Sequence, residues 1–191
     1  MSGKQGGVMV SPAGKGRMVD FKRKIRDIRD FPKKGIVFRD ITTLLQDPDA
    51  FAESVRALEA LLDGRKIDKV VCIESRGFLF GAPLALRLGV GVVPLRKPGK
   101  LPGEVLREEY SLEYGTDALE MHRDAVRKGE RAVIVDDLLA TGGTAAAAAR
   151  LVEAAGGEVD SLLFLVELDF LGGRKLLEKR DVLTLVRYDS E

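Results

Sequence analysis

Short apolar runs and segments of helical period alternate along most of the chain. An unbroken apolar run is typical of a strand buried on both faces of a parallel sheet, and a helical period is typical of a helix that covers such a face. The strands are predicted at residues 69–73, 90–95, 131–135, 159–166 and 182–186, and the helices at 78–88 and 144–155. This alternation predicts an α/β fold with a central, mostly parallel sheet flanked by helices on both faces.

The pattern is weaker in the first part of the chain. Residues 21–29 place apolar side chains at helical spacing among charges and predict an amphipathic helix, whereas residues 33–46 are predicted to be irregular. Asp47, followed by a proline, predicts the start of a helix that runs to Leu62, because aspartate caps free N–H groups and proline fits the first turn. The glycine-rich residues 1–19 predict a flexible tail.

Size and charge favour one domain and limit its partners. With 191 residues, 45% of them hydrophobic, the chain can bury one substantial core, so residues 20–191 are predicted to form a single domain. A formal net charge of +1 argues against nucleic acid as a partner, and any anion site must be local. We find no signal segment and no apolar run long enough to cross a membrane, which predicts a cytoplasmic protein with no membrane partner. Cys72, in an apolar strand, is interpreted as a buried side chain.

The strongest chemical signal is the string VIVDDLLATGGT at residues 133–144. A predicted strand delivers two adjacent carboxylates, Asp136 and Asp137, to its end, and a loop of glycines and threonines then leads into a helix. Backbone N–H groups, hydroxyls and the positive end of a helix form a cradle for one phosphate, whereas the carboxylates suit ribose hydroxyls or a nearby magnesium ion. A phosphorylated sugar satisfies both halves of the string. The alternative interpretation is a tight strand-to-helix turn with an acidic N-cap.

The string resembles the phosphoribosyl pyrophosphate motif of the type I phosphoribosyltransferases, and its LLATGGT ending resembles the adenine-specific members in particular. Four further segments resemble the family's N-terminal hood, its pyrophosphate loop and the two ends of its mobile catalytic loop. They are FP with GIVFRDI at 31–41, ESRGFLFG at 74–81, RKPGKLPG at 96–103 and YSLEYG at 110–115. The resemblance runs from about residue 21 to the end of the chain. It implies the type I fold, with the hood at about 20–46, the mobile loop at about 97–112 and residues 110–114 as the returning strand of that loop.

The resemblance implies how the donor, phosphoribosyl pyrophosphate, is bound. The ribose and its 5-phosphate are expected at Asp136, Asp137, Ala140, Thr141, Gly142, Gly143 and Thr144. Pyrophosphate is expected at Ser75, Arg76, Arg96, Lys97, Lys100 and Tyr114. A solvated basic loop explains the charges at 96–100 equally well, whereas a loop that closes over pyrophosphate also excludes water. The family's cis peptide bond is expected between Ser75 and Arg76.

The same resemblance assigns the base pocket and one catalytic residue. Adenine is expected at Val37, Phe38, Arg39 and Leu138, with the Phe38 ring stacked on the purine. Main-chain carbonyls placed there would accept the exocyclic amine of adenine and leave 6-oxo purines with unpaired polar groups. From the residues alone, Val37 and Phe38 are equally typical of core. Glu113 is the expected catalytic carboxylate, which either assists proton movement at the purine or stabilises developing positive charge.

Together these residues imply a pentosyltransferase of purine salvage, which joins adenine to ribose 5-phosphate, forms AMP and releases pyrophosphate. Mg²⁺ is the expected cofactor, held mainly by the donor's oxygens and water, and a homodimer is expected from the family. Relatives that act on hypoxanthine, guanine, xanthine, orotate or uracil stay open, as does a transcription regulator that keeps the donor site without catalysis. Such regulators usually carry a DNA-binding module, and neither a helix-turn-helix nor a basic face is evident.

Overall fold

The computed structural model describes residues 19–111, 115–177 and 179–190. Its strands are β1 (Arg26–Arg29), β2 (Val37–Asp40), β3 (Lys69–Ile73), β4 (Gly91–Leu95), β5 (Val105–Ser111), β6 (Thr116–His122), β7 (Arg131–Leu139), β8 (Glu158–Leu168) and β9 (Val182–Tyr188). Its α-helices are α1 (Thr42–Gln46), α2 (Pro48–Ala60), α3 (Gly77–Leu88) and α4 (Gly143–Ala154). Short 3-10 helices lie at Phe21–Lys24, Asp169–Leu171 and Gly173–Leu177.

Five strands form one parallel sheet, as the sequence predicts, and their order in it is β4-β3-β7-β8-β9. Successive side chains of a strand point to opposite faces, so the sheet separates two core layers. Val133 and Val135 belong to the layer that contains Leu58 of α2 and Phe80 of α3, whereas Ile134 belongs to the layer of α4. Helices therefore cover both faces, and the carboxyl ends of the strands form one edge where ligands of such sheets bind.

Helix α2 starts where the sequence predicts. The Asp47 carboxylate accepts hydrogen bonds from the backbone N–H groups of Asp49 and Ala50, at 3.1 and 3.0 Å, and Pro48 occupies the first turn. Cys72 is buried, as expected, and burial together with the nearby Asp136 raises the pKa of its thiol to about 12. The thiol is therefore uncharged at neutral pH and packs as a small apolar group.

The predictions for the first part of the chain were wrong in two places. Residues 21–29 are not one helix, because only Phe21–Lys24 turns and Arg26–Arg29 forms strand β1. Residues 37–46 are not irregular, since they form β2 and α1. The reason is tertiary: β1 pairs with β2 in an antiparallel ribbon, and this pairing supplies hydrogen bonds that local periodicity does not reveal. The tail prediction for residues 1–18 lies outside the described residues.

A second antiparallel ribbon consists of β5 and β6. Residues 110 and 111 end its outgoing strand and the strand Thr116–His122 returns, so the prediction of a returning strand was wrong for residues 110 and 111, and its residues 112–114 lie outside the described residues. The irregular part of the expected mobile loop ends at residue 104, β5 begins at Val105, and whether residues 97–112 move together stays a prediction. Within the described parts of the chain, none of the helices has the length and apolar character needed to cross a membrane.

Candidate active site

Two carboxylates lie at the carboxyl end of β7, the central strand of the sheet. The Asp136 carboxylate accepts a hydrogen bond from the Asp137 backbone N–H at 2.9 Å, and Asp137 Oδ2 lies 3.1 Å from Nε of Arg76. The Asp137 side chain is buried, whereas Arg76 is partly exposed. Burial raises the pKa of Asp136, and the neighbouring Asp137 carboxylate raises it further. Burial also raises the pKa of Asp137, and the Arg76 guanidinium opposes that rise.

The loop after β7 is built from backbone in close contact. Gly142 caps α4 with a φ of +86°, a left-handed conformation that favours glycine. A Cβ atom on Gly142 would also lie 2.4 Å from the carbonyl oxygen of Gly173. A concavity of about 70 Å³ opens at this loop, with lining residues that include Asp136, Thr141, Thr144 and Phe164. It lies at the N-terminus of α4, where free N–H groups favour an anion.

The start of α3 packs directly against the end of β7. A Cβ atom on Gly77 would lie 2.6 Å from the carbonyl oxygen of Val135 and 3.1 Å from Oδ1 of Asp136, so glycine permits the approach that brings Arg76 to Asp137. The cis peptide bond of this turn joins Glu74 to Ser75. The expected position, between Ser75 and Arg76, was therefore wrong by one residue. Glu74 N–H still pairs with the Leu95 carbonyl at 3.0 Å, so the chain leaves the sheet at the Glu74-Ser75 bond.

A carboxylate neutralises two of the cations expected to bind pyrophosphate. Glu74 Oε2 accepts hydrogen bonds from Nε of Arg96 at 3.0 Å and from the Lys97 backbone N–H at 2.7 Å, and its other oxygen pairs with Lys100. The Glu74 side chain is 9% exposed, whereas Lys100 is 47% exposed. Burial opposes ionisation of Glu74, but Lys100, the Lys97 N–H and Arg96 outweigh it and lower the pKa to about 2. Glu74 is therefore ionised at neutral pH and holds the start of the loop to the end of β3.

Lys97 points to a different partner. Its ammonium pairs with Asp117 of β6 and donates to the Tyr110 hydroxyl at 2.8 Å. Burial lowers the pKa of Lys97, but Asp117 and Tyr110 outweigh it, so the net shift is upward. Arg96 is also fixed through its backbone, which exchanges two hydrogen bonds with Glu120, at 2.9 and 2.8 Å. The three expected pyrophosphate cations of this segment are thus each held by the chain's own acceptors.

The β1–β2 ribbon places the expected base-stacking ring beside the carboxylate cluster. The Phe38 ring packs edge-on against Phe31, with centroids 5.3 Å apart, and the Arg76 guanidinium carbon lies 5.8 Å from the Phe38 centroid. The chain of contacts from Phe38 through Arg76 to Asp137 joins the expected adenine residues to the expected ribose residues. The Arg39 side chain turns elsewhere, since it stacks on Tyr188 and pairs with Asp27 on the neighbouring strand. The Arg39 side chain is therefore engaged by Tyr188 and Asp27, and the expected role of its backbone at the base stays a prediction.

Comparison with known proteins agrees with this geometry. A family model described as phosphoribosyl transferase domain matches residues 40–182. The adenine phosphoribosyltransferase of Caldanaerobacter subterraneus subsp. tengcongensis is 62% identical over 169 residues, which are 88% of this chain and 98% of the relative. The chain belongs to the adenine phosphoribosyltransferase family.

Solved structures of adenine phosphoribosyltransferases share the fold. That of the Thermoanaerobacter pseudethanolicus enzyme has a TM-score of 0.86 and 61% identity, covering 88% of this chain and 98% of that one. The Saccharomyces cerevisiae enzyme, in complex with adenine and D-2,5-dideoxy-2,5-imino-altritol 1,6-bisphosphate, has a TM-score of 0.83 and 45% identity, covering 87% of this chain and 96% of that one. The parallel sheet with flanking helices is therefore the type I phosphoribosyltransferase fold.

The structure gathers most of the residues expected for the donor at one edge of the sheet, and others lie outside what it describes. Glu113 and Tyr114 fall in the 112–114 gap, so their roles stay predictions. Sequence reasoning missed Glu74, Asp117 and Gly173. The position of Glu74, directly before Ser75 and Arg76 after a buried strand, is a sequence signal for a site residue. The groups that pair with its carboxylate belong to Arg96, Lys97 and Lys100, which lie more than twenty residues further along the chain, so the sequence does not show the pairing.

Proposed function

We infer that the chain catalyses the reaction of its family, in which adenine and phosphoribosyl pyrophosphate give AMP and pyrophosphate. The observation that carries this inference is the carboxyl end of β7, where the half-buried Asp136 and the buried Asp137 lie shortly before the loop that leads into the N-terminus of α4. Such an edge offers acceptors to ribose hydroxyls and N–H donors to a phosphate on the same molecule. The Saccharomyces relative binds adenine and a bisphosphate in the same fold, which supports the assignment.

In this proposal the residues divide the donor among them. Residues 140–144 bind the 5-phosphate through N–H groups and hydroxyls, and Asp136 and Asp137 accept hydrogen bonds from the ribose hydroxyls. Arg76, close to Asp137, faces the pyrophosphate with Ser75 beside it. Arg96, Lys97, Lys100 and Tyr114 complete the pyrophosphate site.

Adenine is proposed to stack on Phe38, with Leu138 on its other face and backbone groups of Val37 and Arg39 at its edge. The contact of Phe31 with Phe38 supports this role, because it limits the orientations of the ring. Main-chain carbonyls at this edge accept hydrogen bonds from the exocyclic amine of adenine. The 6-oxo group of another purine would find no hydrogen-bond donor there, and this difference selects adenine.

The reaction is a displacement at the anomeric carbon of ribose. A ring nitrogen of adenine forms the new bond to this carbon while the bond to pyrophosphate breaks, and the ring loses one proton. Because positive charge develops on the sugar and negative charge on the leaving group, placed charges lower the barrier. Glu113 is proposed to act at the purine, either on the proton or on the positive charge.

Mg²⁺ is proposed as the cofactor. The described residues contain no group of three His, Cys, Asp or Glu side chains that could hold a metal ion. In this proposal the carboxylates of Asp136 and Asp137 lie at the ribose, and Mg²⁺ would take most of its oxygens from the diphosphate and water. When bound, Mg²⁺ neutralises part of the charge on the leaving group.

The chain is also proposed to form a homodimer in the cytoplasm. Leu79 and Leu86, seven residues apart and therefore on one face of α3, are 44% and 84% exposed, and Val92 on the edge strand β4 is 44% exposed. A second copy would cover such an apolar face. Light scattering of a Leu86→Asp variant is expected to give a monomer mass, and an unchanged dimer would exclude this face.

The experiment for the activity offers the purified protein phosphoribosyl pyrophosphate, Mg²⁺ and each purine in turn. AMP is expected from adenine alone. Changing both Asp136 and Asp137 to Asn should abolish product, because the ribose loses its two charged acceptors. A control variant with exposed Asp63 and Asp124 changed to Asn makes the same charge change outside these contacts and should keep activity.

Other outcomes would overturn separate parts of the proposal. Formation of IMP or GMP would leave the donor site in place and contradict the assigned base pocket. Tight binding of the donor with no product from any base would favour the regulator described above.

A further inference from the structure

The loop of residues 140–142 is in direct backbone contact with a turn much later in the chain. A Cβ atom on Gly173 would lie 2.2 Å from the Ala140 carbonyl oxygen and 3.1 Å from the Gly142 amide nitrogen. The contact is reciprocal, since a Cβ atom on Gly142 would lie 2.4 Å from the Gly173 carbonyl oxygen. Gly173 has no left-handed φ, so only lack of space requires glycine there.

An ion pair between the partly exposed Arg174 and the buried Glu167 fixes this turn next to Gly173. Arg174 donates from Nε and Nη2 to the two carboxylate oxygens of Glu167, at 2.6 and 2.8 Å, and from Nη1 to the Val182 carbonyl at 3.0 Å. The Thr184 hydroxyl donates to Glu167 at 3.1 Å. Glu167 is 1% exposed. A bidentate arginine pair sets orientation as well as distance, so the turn is held to β8 and β9 in one geometry.

Two further contacts fix the turn on either side of Gly173. Leu177, at the end of the same 3-10 helix, is buried in the core layer of α4. Asp169, before the turn, pairs with Arg187 of β9 at 2.5 Å. The segment that touches the phosphate loop is therefore anchored to strands and core, although it belongs to none of the motifs found in the sequence.

We propose that Gly173 and the Arg174–Glu167 pair are positioning residues for the 5-phosphate. They hold the backbone of residues 140–142 so that its N–H groups face the phosphate before the ligand arrives. A loop that is already in place does not lose conformational freedom on binding, which strengthens binding of the phosphate. The inference rests on the proposed assignment of this loop to the 5-phosphate.

The first test compares Gly173→Ala with Gly172→Asn. The added methyl of Gly173→Ala must displace the Ala140 carbonyl, whereas Asn tolerates the left-handed φ of +67° at Gly172 and its Cβ atom would meet no atom closer than 3.6 Å. Calorimetry should show ribose 5-phosphate binding weakened about tenfold or more in Gly173→Ala, as expected when a hydrogen bond to a charged group is lost. Pyrophosphate binding should stay within about twofold, and Gly172→Asn should match the parent for both ligands.

A second series tests the ion pair and keeps the proposal testable if Gly173→Ala does not fold. Arg174→Lys keeps the positive charge but loses the bidentate hydrogen bonds to Glu167, and Arg174→Met loses both. The affinity for ribose 5-phosphate should therefore fall, and the KM for the donor should rise, more in Arg174→Met than in Arg174→Lys. The KM for adenine should not follow. A general loss of structure would instead lower the affinities for ribose 5-phosphate and pyrophosphate together and raise the KM values for both the donor and adenine.

Two results would overturn the inference. One is a folded Gly173→Ala variant that binds ribose 5-phosphate with the affinity of the parent protein. The other is a pair of Arg174 variants in which the affinity for pyrophosphate falls as much as the affinity for ribose 5-phosphate. Failure of the parent protein to bind ribose 5-phosphate would instead contradict the proposed function, so the two failures are distinguishable.

Discussion

The two regions assigned to the donor's anions are built in opposite ways. The 5-phosphate loop consists of backbone pressed against backbone, with Gly142 and Gly173 in contact and a helix N-terminus behind the loop. The pyrophosphate region consists of long side chains, and those of Lys97 and Lys100 are about one third and one half exposed. In the first region the donors are backbone N–H groups at a helix N-terminus, whereas in the second Glu74 and Asp117 already pair with the cations.

This difference implies two kinds of binding. A rigid backbone cradle is sensitive to shape and insensitive to salt, because its donors are fixed N–H dipoles. A paired cationic cluster must exchange one acceptor for another, so its affinity depends on the competing carboxylates and on screening. The following predictions separate these two behaviours.

The largest effect is expected from Gly142→Ala. The methyl group would clash with the Gly173 carbonyl at 2.4 Å and would force the loop away from its position. Loss of two N–H contacts to a charged phosphate corresponds to about 3 kcal/mol, or more than a hundredfold in kcat/KM for the donor. Steady-state kinetics with varied donor measures this effect.

Gly129→Ala is the matched control for that variant. Gly129 has a similar φ of +80° but nothing within 4 Å of its Cβ position. Gly129→Ala should lower the free energy of unfolding by about 1 kcal/mol through the same backbone strain. It should leave kcat/KM for the donor unchanged. If both variants lose donor affinity equally, strain rather than the contact with Gly173 explains the effect.

The second effect concerns stability and pH in the paired cluster. The folded pKa of Glu74 is about 2, below its usual 4.5, so its ionised form stabilises the fold above about pH 4.5 and this stabilisation is lost as the pH falls toward 2. With screening at the partly exposed lysine, Glu74→Gln should lower the free energy of unfolding by about 1–2 kcal/mol at pH 7.

The gap between parent and Glu74→Gln should narrow on acidification. Urea unfolding at pH 7, 5 and 3.5 measures it. Glu104→Gln, which removes a carboxylate that is 85% exposed, serves as the control and should show almost no gap at any of these values. A Glu74→Gln gap that stays constant with pH would mean that the pairing of its carboxylate does not stabilise the fold.

The sheet was predictable because buried parallel strands and their helices leave a strong local pattern. All five strands of the sheet and helices α2, α3 and α4 lie within a few residues of their predicted bounds, and the end of β7 was singled out from its string alone. The β1–β2 ribbon was not predictable in the same way. The charged and apolar residues before and within its first strand also have the spacing of an amphipathic helix. The pairing of β1 with β2, which lies further along the chain, decides the conformation.

The candidate site was predictable where function requires a contiguous string and not where contacts join distant segments. Residues 136–144 are contiguous in sequence and run from the end of β7 through a short loop into α4, whereas Glu74 meets Lys100, and Gly173 meets Ala140, only in the folded chain. Glycine at 173 is required by space and not by its own backbone conformation. A sequence pattern carries no record of such a contact.

A third, smaller effect is expected on pyrophosphate binding. Because Glu74 competes with the ligand for Arg96 and Lys100, Glu74→Gln should bind pyrophosphate about three- to fivefold more tightly, and product inhibition should strengthen equally. Isothermal titration measures the affinity. Glu104→Gln again controls for the lost charge, and weaker binding in Glu74→Gln would show that Glu74 positions these cations rather than competes for them.

The smallest effect separates the two regions by salt. Raising KCl from about 0.05 to 0.3 M should weaken pyrophosphate binding about two- to threefold, because Lys100 is half exposed and its attraction is screened. Lys100→Met should reduce this salt dependence and leave that of ribose 5-phosphate unchanged, since the phosphate loop does not use the Lys100 charge. The salt dependence of each ligand is compared between the parent and Lys100→Met, so the different charges of the two ligands do not affect the comparison. If Lys100→Met changes the salt dependence of both ligands equally, the two anion regions share one electrostatic field and the distinction between them fails.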